Sequence, residues 1–190
     1  MRIGNSSARR AIAAMLIILV LCTGAVTAWR LSRRPRLLMK TATLLPPRSL
    51  ASFSENGVTV EIGVQEDTSG RMWLRGTFTP EQTGFHLYSK DLPREGLQGL
   101  GRPTLLEIAS TGTIRSAGQL EADKPVTMLR FNILDQSFPV YPNGPVTLRL
   151  PIRLIAGETD APIELSVTYM ACSDAKCLPP VINKRVMVRK

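Results

Sequence analysis

At 190 residues, with 44% hydrophobic and 21% charged side chains, the chain is long enough for one globular domain plus appendages and too apolar to be disordered. Its formal net charge of +9 suggests a polyanionic partner, but residues 1–40 hold eight of the 24 basic residues and no acid. Residues 41–190 keep 16 basic against 15 acidic residues, a net of +1, so the domain lacks the basic face that phosphate contacts need and no nucleic-acid partner is expected.

Residues 1–10 form a basic tail with Arg2, Arg9 and Arg10. Residues 11–29, AIAAMLIILVLCTGAVTAW, are uncharged and bracketed by arginines. As a helix they would extend roughly 28 Å, close to the hydrocarbon thickness of a bilayer. A secretory signal has a shorter apolar region and a small-residue cleavage site, and Val26-Thr27-Ala28 would pass as such a site. The length of the span and the basic run after Trp29 favour a retained transmembrane anchor over a cleaved signal. Cys22 follows Leu21, where lipid attachment wants a small residue, and reads as an apolar member of the span. Basic residues flank both ends, so they nearly cancel as an orientation signal. The close cysteine pair farther on fits an oxidising compartment, which puts the domain outside the cytoplasm.

Residues 30–54 carry Arg, Pro and Ser, are punctuated by Pro46-Pro47, and read as a linker to a domain over 55–190. From Val58 the pattern has period two. Val58, Val60, Ile62 and Val64 face one way and Thr59, Glu61 and Gln65 the other. Met72, Leu74 and Phe78 follow the Ser69-Gly70 turn, and Gly84–Tyr88 reads as a further strand. Val146, Leu148, Leu150, Ile152 and Leu154 alternate with Thr147, Arg149 and Arg153. Ile163, Leu165, Val167 and Tyr169 alternate with Glu164, Ser166 and Thr168, and Val186 and Val188 close the chain. Pro142-Asn143-Gly144 and Ala156-Gly157-Glu158 supply turns. About seven or eight short antiparallel strands with one apolar face each predict an all-β sandwich, with a barrel as the alternative.

Residues able to carry chemistry are few. His86 is the sole histidine, nothing near it resembles a nucleophile turn, and it is expected to be a half-buried strand residue. Two loop cysteines and a distant histidine do not make a zinc site, the carboxylates are scattered, and no phosphate loop is present; neither metal nor cofactor is expected. What remains is Tyr169-Met170-Ala171-Cys172-Ser173-Asp174-Ala175-Lys176-Cys177-Leu178-Pro179-Pro180. The turn-like tetrapeptide between the cysteines lets their Cα atoms reach disulfide distance, about 5.5 Å. So small a ring stabilises a fold by only roughly 2 kcal/mol, which favours an exchanging disulfide over a purely structural staple without deciding between them. Lys176 beside Cys177 favours its thiolate. Cys172 ends a patterned strand and should lie deeper than Cys177, which follows the polar turn.

The run Thr168-Tyr169-x-x-Cys172 … Cys177-Leu178-Pro179-Pro180 resembles the N-terminal periplasmic domain of DsbD-type thiol:disulfide interchange proteins, whose members carry a similar Tyr-x-x-Cys … Cys-aromatic/Leu-Pro-Pro segment. Gly84-Phe85-His86-Leu87-Tyr88-Ser89-Lys90 is similar to an earlier strand of that family, and the likeness extends over about residues 55–190. The resemblance implies an immunoglobulin-like sandwich with Cys172 and Cys177 as a redox pair at its edge and Cys177 as the partner-facing sulfur. It implies Tyr88 and Tyr169 as aromatic neighbours of the disulfide, and a capping loop within Asn132–Phe138, here without an aromatic at its middle. Members usually begin with a cleavable signal, whereas residues 11–29 read as a retained anchor; the expectation is a single-pass protein of the bacterial inner membrane with its domain in the periplasm. The expected partners are a thioredoxin-like or DsbD-type redox protein and envelope substrate proteins. Full-length members continue into membrane and thioredoxin-like domains, so with this sequence ending at Lys190 electrons are expected from a separate protein.

Two functions follow as expectations. One is a thiol:disulfide oxidoreductase acting as an electron relay through Cys172–Cys177. The other is a non-catalytic, membrane-anchored immunoglobulin-like binding domain with a permanent disulfide.

Overall fold

Alternation of β-branched and polar residues along the chain becomes antiparallel sheet. The structure, a computed structural model, describes residues 42–110, 112, 114–131, 136–155 and 161–189. The expected basic tail and anchor therefore lie outside the described residues. Among the described residues no helix is long and apolar enough to cross a membrane. They form thirteen strands: β1 (Arg48–Glu55), β2 (Val58–Glu66), β3 (Met72–Pro80), β4 (His86–Leu87), β5 (Leu105–Ile108), β6 (Ile114–Ser116), β7 (Glu121–Ala122), β8 (Thr127–Phe131), β9 (Gln136–Val140), β10 (Val146–Leu154), β11 (Ile163–Tyr169), β12 (Ala171–Cys172) and β13 (Val181–Val188).

The larger sheet runs β1-β2-β3-β10-β6, with β7 also on β10; the smaller runs β13-β11-β5. Two ribbons, β12–β4 and β8–β9, complete the set. The core gathers Val58, Val60 and Ile62 of β2, Leu74 and Phe78 of β3, and Val146, Leu148, Leu150 and Ile152 of β10. Against them stand Leu106 of β5, Ile163, Leu165, Val167 and Tyr169 of β11, and Val181 and Val188 of β13. Phe78 meets Tyr169 edge-on at 5.8 Å between centroids. This is the β-sandwich that the period-two pattern predicts. Burying each large apolar side chain contributes about 1.5–3 kcal/mol, which no single sheet with an open face would collect.

Four points depart from the pattern. The expected linker over 30–54 is cut short, because Arg48–Glu55 is β1 and pairs along β2. Only Leu50, Ala51 and Phe53 of β1 pack partly on the core, so this edge strand shows weak alternation. The chain joins the domain earlier still, where the Leu45 N–H donates to Glu66 O at 2.7 Å. Asn56 and Gly57 hold φ of 47° and 73° and make the two-residue turn between β1 and β2, the left-handed pair that matches the strand twist. Leu154 ends β10 exposed at 48%, past the reach of the core. Thr168 and Ser166, on the polar face of β11, are buried, because β11 is the central strand of the smaller sheet. Finally, the short strands β5–β9 add to the expected set; each has two to five residues, too few to display a period.

Candidate functional site

Parity carries the chain from the core to the disulfide. Tyr169 and Ala171 face the large core, whereas Cys172, with Met170 packed beside it, joins a second cluster of Tyr88, Leu92, Phe138 and Val140. The neighbouring segment alternates the same way. Phe85 and Leu87 face the large core, and Tyr88 faces the second cluster. Pairing of β4 with β12 puts Ala171 opposite Leu87 and Cys172 opposite His86.

After Cys172 the chain reverses through Ser173–Lys176. The Ser173 N–H donates to Lys176 O at 2.8 Å, and the Leu178 N–H donates to Ala171 O at 2.9 Å. Ser173 Oγ accepts from the N–H groups of Ala175 and Lys176 at 3.3 and 3.2 Å, which fixes the turn from inside. Between these bonds Cys172 and Cys177 stand directly opposite one another, Cα atoms 4.0 Å apart, joined as a disulfide. Directly opposed residues of an antiparallel pair project to one face. Cys172 is fully buried and Cys177 is exposed, the order that strand and turn placement implied.

Tyr88 supervises both sulfurs. Its hydroxyl donates to Cys172 Sγ at 3.2 Å and lies 3.9 Å from Cys177 Sγ. The Thr104 hydroxyl donates to Tyr88 O at 2.7 Å and pins the backbone. Its ring stands edge-on to Phe138 at 5.7 Å and to His86 at 5.9 Å. Burial pushes the Tyr88 phenol up from its ordinary value, so it remains a donor at any physiological pH.

His86, expected as a half-buried strand residue, lies in a strand and is buried. It is 4% exposed, and its Nε2 has no hydrogen-bond partner. Burial lowers its pKa, and the carboxylate of Asp174 acts weakly the other way. Along with Met128, Leu129, Tyr141 and Asp174 it lines an open cleft of about 220 Å³. The alternation Phe85-His86-Leu87-Tyr88 was the available signal: if Tyr88 faces the disulfide, so does His86.

Other expected site residues are placed differently. Tyr169 is not beside the sulfurs: its hydroxyl donates to Glu55 O at 2.9 Å and its ring packs on Phe78. Cys172 lies three positions beyond it, so the period-two rule sends them to opposite faces. Lys176 adjoins Cys177 in sequence, with its ammonium 5.7 Å from the Phe85 ring centroid. Of the expected capping loop, residues 132–135 lie outside the described residues; Phe138, at its end, supports Tyr88. Among the described residues no three His, Cys, Asp or Glu side chains are grouped to hold a metal.

The arrangement offers an incoming thiolate one accessible sulfur. It holds the departing sulfur under a phenolic donor, and it places an imidazole across the strand from that sulfur.

No family model matches the chain, and no curated protein matches it. Among solved structures it is similar to the N-terminal domain of Neisseria meningitidis DsbD, crystallised in the reduced form, with 15% identity over 77% of this chain and 90% of that chain and a TM-score of 0.42.

Proposed function

We propose that this protein is an extracytoplasmic thiol–disulfide exchange module, taking electrons from a thioredoxin-like dithiol and passing them to disulfides of envelope proteins. The observation that carries the reading is the unequal disulfide: exposed Cys177 bonded to buried Cys172, with the Tyr88 hydroxyl against both. A partner thiolate attacks Cys177 Sγ, a partner–Cys177 disulfide forms, and the electron pair of the broken bond leaves on Cys172 Sγ. The partner's second thiolate then releases Cys177, so one dithiol is oxidised and one disulfide reduced. Residues 11–29 are proposed to hold the protein in a bacterial inner membrane with the domain on the periplasmic side.

The deciding measurement is the reduction potential of the pair. Exchanging disulfides lie above about −300 mV, and structural ones below. A value under that bound, with resistance to a small dithiol, would make the protein a binding domain with a permanent staple.

A further inference from the structure

We infer that His86 is the proton-transfer group for Cys172, taking the thiol proton when Cys172 resolves a mixed disulfide on Cys177 and returning it when Cys172 departs. The inference rests on the exchange reading and adds a residue to it.

Three observations converge. His86, Cys172 and Cys177 form one row across neighbouring strands, His86 opposite Cys172 and Cys172 opposite Cys177. Members of such a row project to a common face with Cβ atoms about 4.5–5.5 Å apart. His86 is therefore the residue across the strand pair from Cys172, on the side away from Cys177. Second, the Nε2 of His86 is buried and without a partner, an arrangement that stability alone disfavours, because an orphaned buried polar atom costs about 1–3 kcal/mol. Third, Cys172 is sealed from solvent, so bulk water cannot collect or deliver its proton during the exchange.

Among the described residues, the groups facing the imidazole are few. Asp174 approaches from the turn, Tyr88 from its own segment and Tyr141 from the chain after β9. β8 and β9 contribute only Thr127, Met128, Leu129 and Val140 to the cleft. Lys176 rests on Phe85. The tyrosines stay neutral because burial raises both. The imidazole is thus held mainly neutral, with a lone pair to accept a proton, and Asp174 stabilises the imidazolium once formed.

The step balances. Reduced protein attacks a substrate disulfide through Cys177 thiolate, releasing one substrate thiolate. The Cys172 S–H bond then breaks, its proton passes to the imidazole, and Cys172 thiolate attacks Cys177 Sγ. The second substrate thiolate leaves, the Cys172–Cys177 bond closes, and the imidazolium gives its proton to water at the cleft.

The test uses the full chain in a Cys22→Ser background, solubilised in detergent, reduced with dithiothreitol, freed of it by gel filtration and mixed with 5,5′-dithiobis(2-nitrobenzoate). Release of thionitrobenzoate has two phases: attack by Cys177, then resolution by Cys172. In the wild type the second phase should be fast near neutral pH and fall as pH drops through the lowered imidazole range. In His86→Gln the second phase should slow roughly tenfold or more relative to the first at neutral pH. It should then recover only as pH rises through the thiol range, near about 8.5. Asp174→Asn, at an exposed turn, should move the wild-type inflection to lower pH, and it reads the inference in a folded protein if His86→Gln fails to fold. A second phase in His86→Gln within about twofold of wild type with the same pH profile would overturn the role of His86 and leave the exchange reading standing. An inflection unmoved by Asp174→Asn would also overturn it. Absence of a first phase in the wild type would remove the exchange reading and this inference together.

Discussion

Cys172 and Cys177 share one bond but not one environment: the first is wholly buried and the second exposed. An incoming thiolate reaches only Cys177. Cys172→Ala should therefore leave a mixed disulfide trapped on Cys177 when the full chain meets a thioredoxin-like partner, and Cys177→Ala should trap nothing. Non-reducing electrophoresis reads both results. Each substitution should lower stability by about 2 kcal/mol, because the ring is small. Trapping through Cys172 would reverse the two roles.

Tyr88→Phe should make the disulfide harder to reduce. The phenolic hydroxyl donates to Cys172 Sγ, and a hydrogen bond to a thiolate is worth about 1.5–3 kcal/mol, so its loss destabilises the reduced form. The potential should move about 30 mV or more in the negative direction. Tyr169→Phe is the contrast. It loses a bond to Glu55 O, should cost about 1 kcal/mol of stability, and should leave the potential unchanged. A dithiol–disulfide redox titration together with urea unfolding separates the two.

Acid should weaken the fold in two windows. Burial opposes ionisation of Asp67, but hydrogen bonds from Ser69 and Arg71 outweigh it and hold the carboxyl at about 2, below its ordinary 3.8. A depressed carboxylate stabilises fully above its unfolded value, and the contribution is lost as pH falls through the folded one. Asp67→Asn should therefore flatten the stability profile between 3.8 and about 2. His86 acts higher: its pKa is lowered from 6.5 by burial, so stability is full above 6.5 and declines as pH falls toward the lowered value. His86→Gln should remove that upper decline. Urea midpoints across pH measure both.

Gly57→Val should destabilise the domain by about 2 kcal/mol, through a positive φ that a β-branched residue rarely adopts. A Cβ at Gly57 would also press on the Leu178 Cδ1, one residue beyond Cys177. Gly57→Val should accordingly speed reduction of the disulfide by a small dithiol, followed by thiol labelling over time.

The uncharged run 11–29 should keep the protein in the membrane with the domain outside the cytoplasm. A reporter fused after Lys190 that is active only in the cytosol would refute the orientation. A released fragment beginning at Trp29 would refute the anchor.

The long strands were legible because burial on one face imposes period two over nine residues, as along Val58–Glu66 and Val146–Leu154. β1 was not, since only Leu50, Ala51 and Phe53 of it pack inward; its sole clear marker was the Asn56-Gly57 turn. At the site, the Cys172–Cys177 hairpin and Tyr88 were readable from the turn and the family likeness. Tyr169 was assigned from the same likeness, where face parity sends it to the core instead. His86 reads from the sequence as a half-buried strand residue; its pairing opposite Cys172, 86 positions on, is not legible there, because register between two-residue strands leaves no mark in composition.

The opposed cysteines also set who gains from an encounter. In the proposed exchange, a monothiol that bonds to Cys177 remains facing Cys172 across a hairpin 4.0 Å wide at the Cα atoms, and is expelled before a second molecule arrives. A partner with two thiols of its own completes the transfer within one encounter. In that proposed exchange the hairpin sorts thiols by number, because closure over 4.0 Å between Cα atoms favours expulsion of a lone one.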